Sequence, residues 1–150
     1  MSSYSLITPT FLSVQDKSKL DMNQEIIINQ LVTLSEQNND VEIVWLYGSR
    51  ARNSASASSD YDLAIAFKTY IEDPLERRLR PELIALKWQK IIGRKLSVVD
   101  IEQASLPLAY TVIEDNCLLY SCNDYKRMTK EQIIMSKWEI DHLYHRKHYA

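Results

Sequence analysis

The sequence predicts an α/β (α+β) domain, a small mixed sheet flanked by helices. Apolar runs of strand length at Val41–Tyr47, 60–67 and 96–101 alternate with longer stretches of helical spacing. The 150 residues are enough for one hydrophobic core and too few for two.

The elements follow in order. In residues 22–37, Ile26, Ile27, Leu31 and Leu34 recur at nearly helical spacing behind Asp21 as N-cap, and Asn38, Asn39 and Asp40 stop the helix. The next run, Val41–Tyr47, is almost wholly apolar, as a strand covered on both faces requires. Residues 48–59 form a polar loop rich in Ser and Ala. In residues 60–67, alternation sets Asp60, Asp62, Ala64 and Ala66 on one face and Tyr61, Leu63, Ile65 and Phe67 on the other. Asp73 and Pro74 lead into a helix that ends at Gly93 as C′ residue. Pro81 sits in its first turn or bends it, and Leu83, Leu86, Trp88 and Ile91 are expected to supply its buried side. A third strand at 96–101, a short helix at 106–115, a short strand at 117–120 and a closing helix at 125–149 complete the chain. Residues 1–20 read as a leader and 21–150 as a single domain; the pattern leaves strand order open.

Composition narrows the function classes. Eighteen basic and twenty acidic side chains give a net charge of −2, unlike a protein whose affinity for nucleic acid rests on many phosphate contacts. No apolar run approaches a membrane span and no secretory leader is evident, so a cytoplasmic protein is expected. The two cysteines, Cys117 and Cys122, are too few for a disulfide scaffold and read as idle thiols.

Chemistry concentrates in Gly48-Ser49, ten residues, then Asp60-Tyr61-Asp62. A Gly-Ser pair after a buried strand permits a tight turn and close backbone approach. If a helix starts there, its free N–H groups bind phosphate oxygens, with Ser49 as a further donor and Arg50 or Arg52 neutralising charge. Asp60 and Asp62, two apart on a strand, aim their carboxylates the same way, roughly 6.5 to 7 Å apart at the backbone. That spacing suits hard cations such as Mg²⁺. Two ions roughly 3.5 to 4 Å apart would clamp an in-line phosphoryl transfer. A third carboxylate on a neighbouring strand usually completes such a site, and Asp100 is the candidate because it interrupts Val98-Val99-Asp100-Ile101.

The motif Gly48-Ser49-x10-Asp60-x-Asp62 resembles the signature of the DNA polymerase β-like nucleotidyltransferases, and is closest to their minimal nucleotidyltransferase (MNT) group. Leu96-Ser97-Val98-Val99-Asp100-Ile101, Ala104-Ser105-Leu106-Pro107-Leu108 and Asn116-Cys117-Leu118-Leu119-Tyr120 extend the resemblance to about residues 41–120. Asn53 departs from it, standing where the group often has Gly. The resemblance implies an antitoxin that silences a HEPN-domain ribonuclease toxin by transferring AMP from ATP to a toxin tyrosine. By matching positions, Asp60 and Asp62 bind both magnesium ions, Asp100 binds the catalytic one and takes the tyrosine proton, and Gly48 and Ser49 hold the triphosphate. A small core leaves little chain to enclose an acceptor, which favours a protein partner. Transfer to a small molecule such as an aminoglycoside, and a non-catalytic antitoxin acting by occlusion, are the competing expectations.

Other features carry weaker signals. His142, His145 and His148 recur every three residues, but a solvated or partner-facing helix face is expected rather than a metal site. The run Glu76-Arg77-Arg78-Leu79-Arg80 either reaches a triphosphate or a partner, or is simply solvated. Tyr61 and the three tryptophans read as core, and Tyr144 and Tyr149 as candidates for a partner interface.

Overall fold

The computed structural model describes residues 19–149, with side chains described for residues 22–147. In chain order these are α1 (Lys19–Gln37), β1 (Val41–Tyr47), a 3₁₀ turn (Gly48–Arg50), β2 (Tyr61–Phe67), α2 (Pro74–Ile92), β3 (Leu96–Asp100), α3 (Leu106–Asp115), β4 (Leu118–Ser121) and α4 (Asp124–Tyr149). The expected leader falls mostly outside the described residues. The expected N-cap, Asp21, lies inside α1.

The four strands form one mixed sheet in the order β3-β2-β1-β4. β1 runs antiparallel to β2 and β4, while β2 and β3 are parallel. A parallel pair needs a crossover, and α2 supplies it. Helices cover both faces. On one, Ile27, Ile28 and Leu31 of α1 and Ile84, Trp88 and Ile92 of α2 pack on Leu63, Ile65 and Val98. On the other, α3 and α4 place Ala109, Val112 and Ile134 over Ile43, Trp45, Ala64 and Ala66. Trp45 anchors α4 further by donating from Nε1 to Glu131 Oε2 at 2.9 Å. The predicted alternation of β2 is therefore the observed one, with Tyr61 fully buried.

The buried side of α2 differs from expectation. Pro81, Ile84, Trp88 and Ile92 face inward, while Leu83, Leu86 and Ile91 are exposed, as is Ile26 on α1. Apolar residues lie on both sides of α2, so helical spacing alone allows two readings; the sheet chose the one carrying Trp88. The start is set by Asp73, whose carboxylate accepts from the N–H groups of Leu75 and Glu76, and the end by Gly93 at φ +70°. Pro81 has no N–H to give the Arg77 carbonyl four residues back. Gln103 Nε2 donates to that carbonyl instead, at 3.1 Å, tying the end of β3 to the helix.

Candidate active site

β1 delivers the chain extended to Tyr47 (φ −140°, ψ 178°), and Gly48 then turns it at φ +80°. A Cβ at residue 48 would stand 2.7 Å from Asp62 Oδ2, so both conformation and space demand glycine. A single 3₁₀ turn follows the strand, and its first donor is already engaged. Gly48 N–H donates to Asp115 Oδ2 at 2.8 Å, and Arg52 Nη1 lies 3.0 Å from the same oxygen. Asp115, near the end of α3, was not legible as a site residue because no local pattern marks it. Further along the loop, Asn53 adopts φ +61°. Asn is one of the few non-glycine residues that takes this conformation readily, so the departure from Gly preserves the turn.

The two arginines of the loop have different jobs. Arg50 is 1% exposed and does not face a nucleotide. Its Nη1 donates to Gln24 Oε1 (3.0 Å), its Nη2 to the carbonyl of Ser59 (2.9 Å), and its guanidinium lies 4.3 Å from the Tyr61 ring centroid. Arg50 thus pins the loop to α1, and its expected role in nucleotide binding is corrected to a structural one. Arg52 is half exposed beside Gly48 and Asp115. It borders an open cleft of about 670 Å³ lined by Ala51, Arg52, Asn53, Thr111, Glu114 and Asp115.

Asp62 stands near the start of β2 on the face that carries Ala64 and Ala66, and Asp60 immediately precedes the strand. Register sets Tyr47 of β1 on one side of Asp62 and Ser97 of β3 on the other. Burial, and then the neighbouring Asp60 charge, push the Asp62 carboxyl above the ordinary carboxylate range, with Arg52 opposing them. The Tyr47 phenol is likewise raised, first by burial and then by Asp62. Negative charge gathered at a half-buried place, with one exposed arginine against it, is the electrostatics of a cation site. Ser49 sits at the same turn, partly exposed.

Asp100 does not join this pair. It is registered with Ile65, three residues beyond Ser97. That places it roughly 10 Å further along the sheet, and the odd offset turns it to the opposite face. There its carboxylate accepts from Glu102 N–H (2.9 Å) and Gln103 Nε2 (3.1 Å) and lies 3.7 Å from Arg80 Nη2. Burial raises its pKa, opposed by Gln103, Arg80 and Lys130. Its expected role as third metal ligand and proton acceptor is overturned by the β2–β3 register, which sequence alone does not reveal.

Several of the remaining candidates have structural partners. Arg77 donates to the carbonyls of Ile71 and Glu72, and Arg80 pairs with Asp40 at 2.9 Å, both on the face away from Asp62. His145 lies 3.9 Å from Asp141, both exposed; the side chains of His148 and Tyr149 fall outside those described. Cys117 is buried, with its thiol pushed up to about 12, and Cys122 is exposed. Among the described residues no group of three or more His, Cys, Asp or Glu is placed to hold a metal ion, and no helix is long and apolar enough to cross a membrane.

The family model described as "Polymerase beta, Nucleotidyltransferase" matches residues 29–125, which include β1, the glycine turn, Asp60, Asp62 and the whole sheet. The chain belongs to this nucleotidyltransferase family. Its fold recurs in solved structures. A chain of a toxin–antitoxin crystal structure with AMP-PNP gives TM-score 0.65 and 16% identity, covering 80% of this chain and 93% of that one. A chain of the MntA-HepT toxin–antitoxin crystal structure gives 0.63 and 16%, over 83% and 94%. A chain from a tri-AMPylated Shewanella oneidensis HEPN toxin in complex with MNT antitoxin gives 0.63 and 15%, over 83% and 93%. At these identities the likeness is one of fold. No curated protein matches this nucleotidyltransferase by sequence.

Proposed function

We propose that this nucleotidyltransferase is a cytoplasmic antitoxin that transfers AMP from ATP to a tyrosine of a partner HEPN toxin. The observation that carries the reading is the pairing of Asp60 and Asp62 beside the Gly48-Ser49 turn, at an open end of the sheet. The fold shared with chains from toxin–antitoxin complexes, one holding AMP-PNP and one an AMPylated toxin, supports the choice of partner and donor.

In this reading Asp60 and Asp62 hold Mg²⁺, with two ions expected once the triphosphate is in place. Bound there, magnesium neutralises the charge that develops on the transferred and leaving oxygens. Ser49 and the backbone of the glycine turn hold the phosphates. Arg52 reaches them by exchanging its Asp115 partner for the more highly charged triphosphate. The tyrosine oxygen attacks the α-phosphorus, an O–P bond forms as the bond to pyrophosphate breaks, and pyrophosphate leaves with that electron pair. The phenolic proton passes to water, because Asp100 stands on the other face. A phenol releases its proton more readily than an aliphatic hydroxyl, so this arrangement suits a tyrosine acceptor.

The test is intact mass spectrometry of the toxin after incubation with this protein, ATP and Mg²⁺. A gain in whole AMP units, absent with Asp60→Ala/Asp62→Ala, is the expected result. An unmodified toxin in a stable complex would sink the catalytic reading in favour of occlusion, which the displaced Asp100 favours.

A further inference from the structure

We propose that Ser97 stands where a third cation-binding carboxylate would complete this centre, so that cation binding here depends on the bound triphosphate. The inference rests on the nucleotidyltransferase reading and concerns its metal centre.

In a parallel pair, registered residues point to the same face of the sheet, and adjacent strands lie about 4.8 Å apart. Asp62 is registered with Ser97. Two residues on, Ala64 and Val99 are registered in the same way, and both enter the core under α3 and α4. The row is therefore continuous: its inner rung is apolar, and its outer rung is Asp62 with Ser97. Ser97 is exposed, so nothing in the core requires a small residue there.

Nearby acids do not substitute for it. Asp100 is turned to the other face and held by Glu102, Gln103 and Arg80. Asp115 is committed to Gly48 N–H and Arg52. The centre is left with two carboxylates and a neutral hydroxyl, which is a weaker ligand for a hard cation than a carboxylate. A small dication held by one or two carboxylates fills its other positions with water and substrate phosphate oxygens. Asp60 and Asp62 alone form such a site, and the triphosphate brings the missing oxygens.

Mn²⁺ is the probe, with free ion followed by electron paramagnetic resonance, using the full chain with and without a non-hydrolysable ATP analogue. The wild type should bind Mn²⁺ much more tightly with the analogue than without it. Ser97→Asp should raise nucleotide-free Mn²⁺ affinity by roughly tenfold or more, since ligand charge count sets affinity at such sites. Asp100→Asn should leave Mn²⁺ binding unchanged, with circular dichroism checking that each variant is folded. No gain for Ser97→Asp, equal wild-type affinity with and without analogue, or a loss of Mn²⁺ binding in folded Asp100→Asn would each overturn the proposal. Asp60→Asn/Asp62→Asn separates the two levels. If it abolishes Mn²⁺ binding with the analogue while Ser97→Asp gains nothing, the centre stands and this inference fails. If it binds Mn²⁺ with the analogue as well as the wild type does, the reading of the centre fails as well.

Discussion

Two ends of the sheet each carry an aspartate whose carboxyl burial raises, and the two are opposites. Asp100 is 4% exposed and its charge is answered from within the protein, by Gln103, Arg80 and Lys130. Asp62 is half-buried, the larger charge acting on it is that of another acid, Asp60, and the cation opposing it is exposed Arg52. An acid neutralised by its own fold is a tie-rod. An acid that the fold leaves in debt of positive charge is a place for a ligand. The distinction lies in partners, not in residue type or strand position.

Substitutions that break this contrast have graded effects. The largest is on catalysis: Asp60→Ala or Asp62→Ala should reduce AMP transfer by roughly a thousandfold or more, read as initial rates by mass spectrometry. Asp100→Ala should do the reverse, leaving transfer within a few-fold below the melting range while lowering unfolding stability by about 2 kcal/mol in urea titrations, because the Glu102 N–H and Gln103 Nε2 lose their acceptor. Next, Arg50→Ala should cost about 2 kcal/mol through lost charge-assisted hydrogen bonds. Arg52→Ala should instead raise the KM for ATP while costing about 1 kcal/mol of stability, since the exposed guanidinium is one of two partners of the buried Asp115 carboxylate.

The smallest effect is on pH dependence. A carboxyl whose folded pKa lies above its unfolded value binds more protons in the folded state between those two values. Stability therefore falls as pH rises through that window, and the loss persists at neutral pH. Asp62→Asn should be inactive yet more stable than the wild type at pH 7, by about 1 kcal/mol or less after solvent screening. The gain should vanish below about pH 3.9, where both forms are uncharged. Thermal melts across pH would check it; a variant less stable at pH 7 would contradict the picture of Asp62 as unneutralised.

Much of this was legible in the sequence, for reasons particular to each element. Val41–Tyr47 and Leu106–Asp115 match their expected bounds, and the alternation in β2 needed no tertiary information. Gly48 and the two acids were legible because a turn and a period of two are local properties. Asp100 was not: its face depends on which residue of β2 it meets, and a three-residue offset reverses it. Arg50 was misread for a related reason, since its acceptors are carbonyls at 57 and 59 and a side chain 26 residues away. The inward side of α2 was missed because Leu83 and Leu86 look like core beside Ile84 and Trp88 until a sheet is laid against one side.

The bond from Gly48 N–H to Asp115 spans 67 residues, while the glycine turn and both acids lie within the β1–β2 hairpin. Hairpin closure is local and inexpensive, whereas β4 and α3 reach β1 only after a much longer loop closes. Asp60 and Asp62 can thus be brought together early in folding, but the Gly48 turn beside them is locked only when the last third of the chain arrives. If the proposed function holds, the order of loop closure ties the onset of nucleotide handling to completion of the fold.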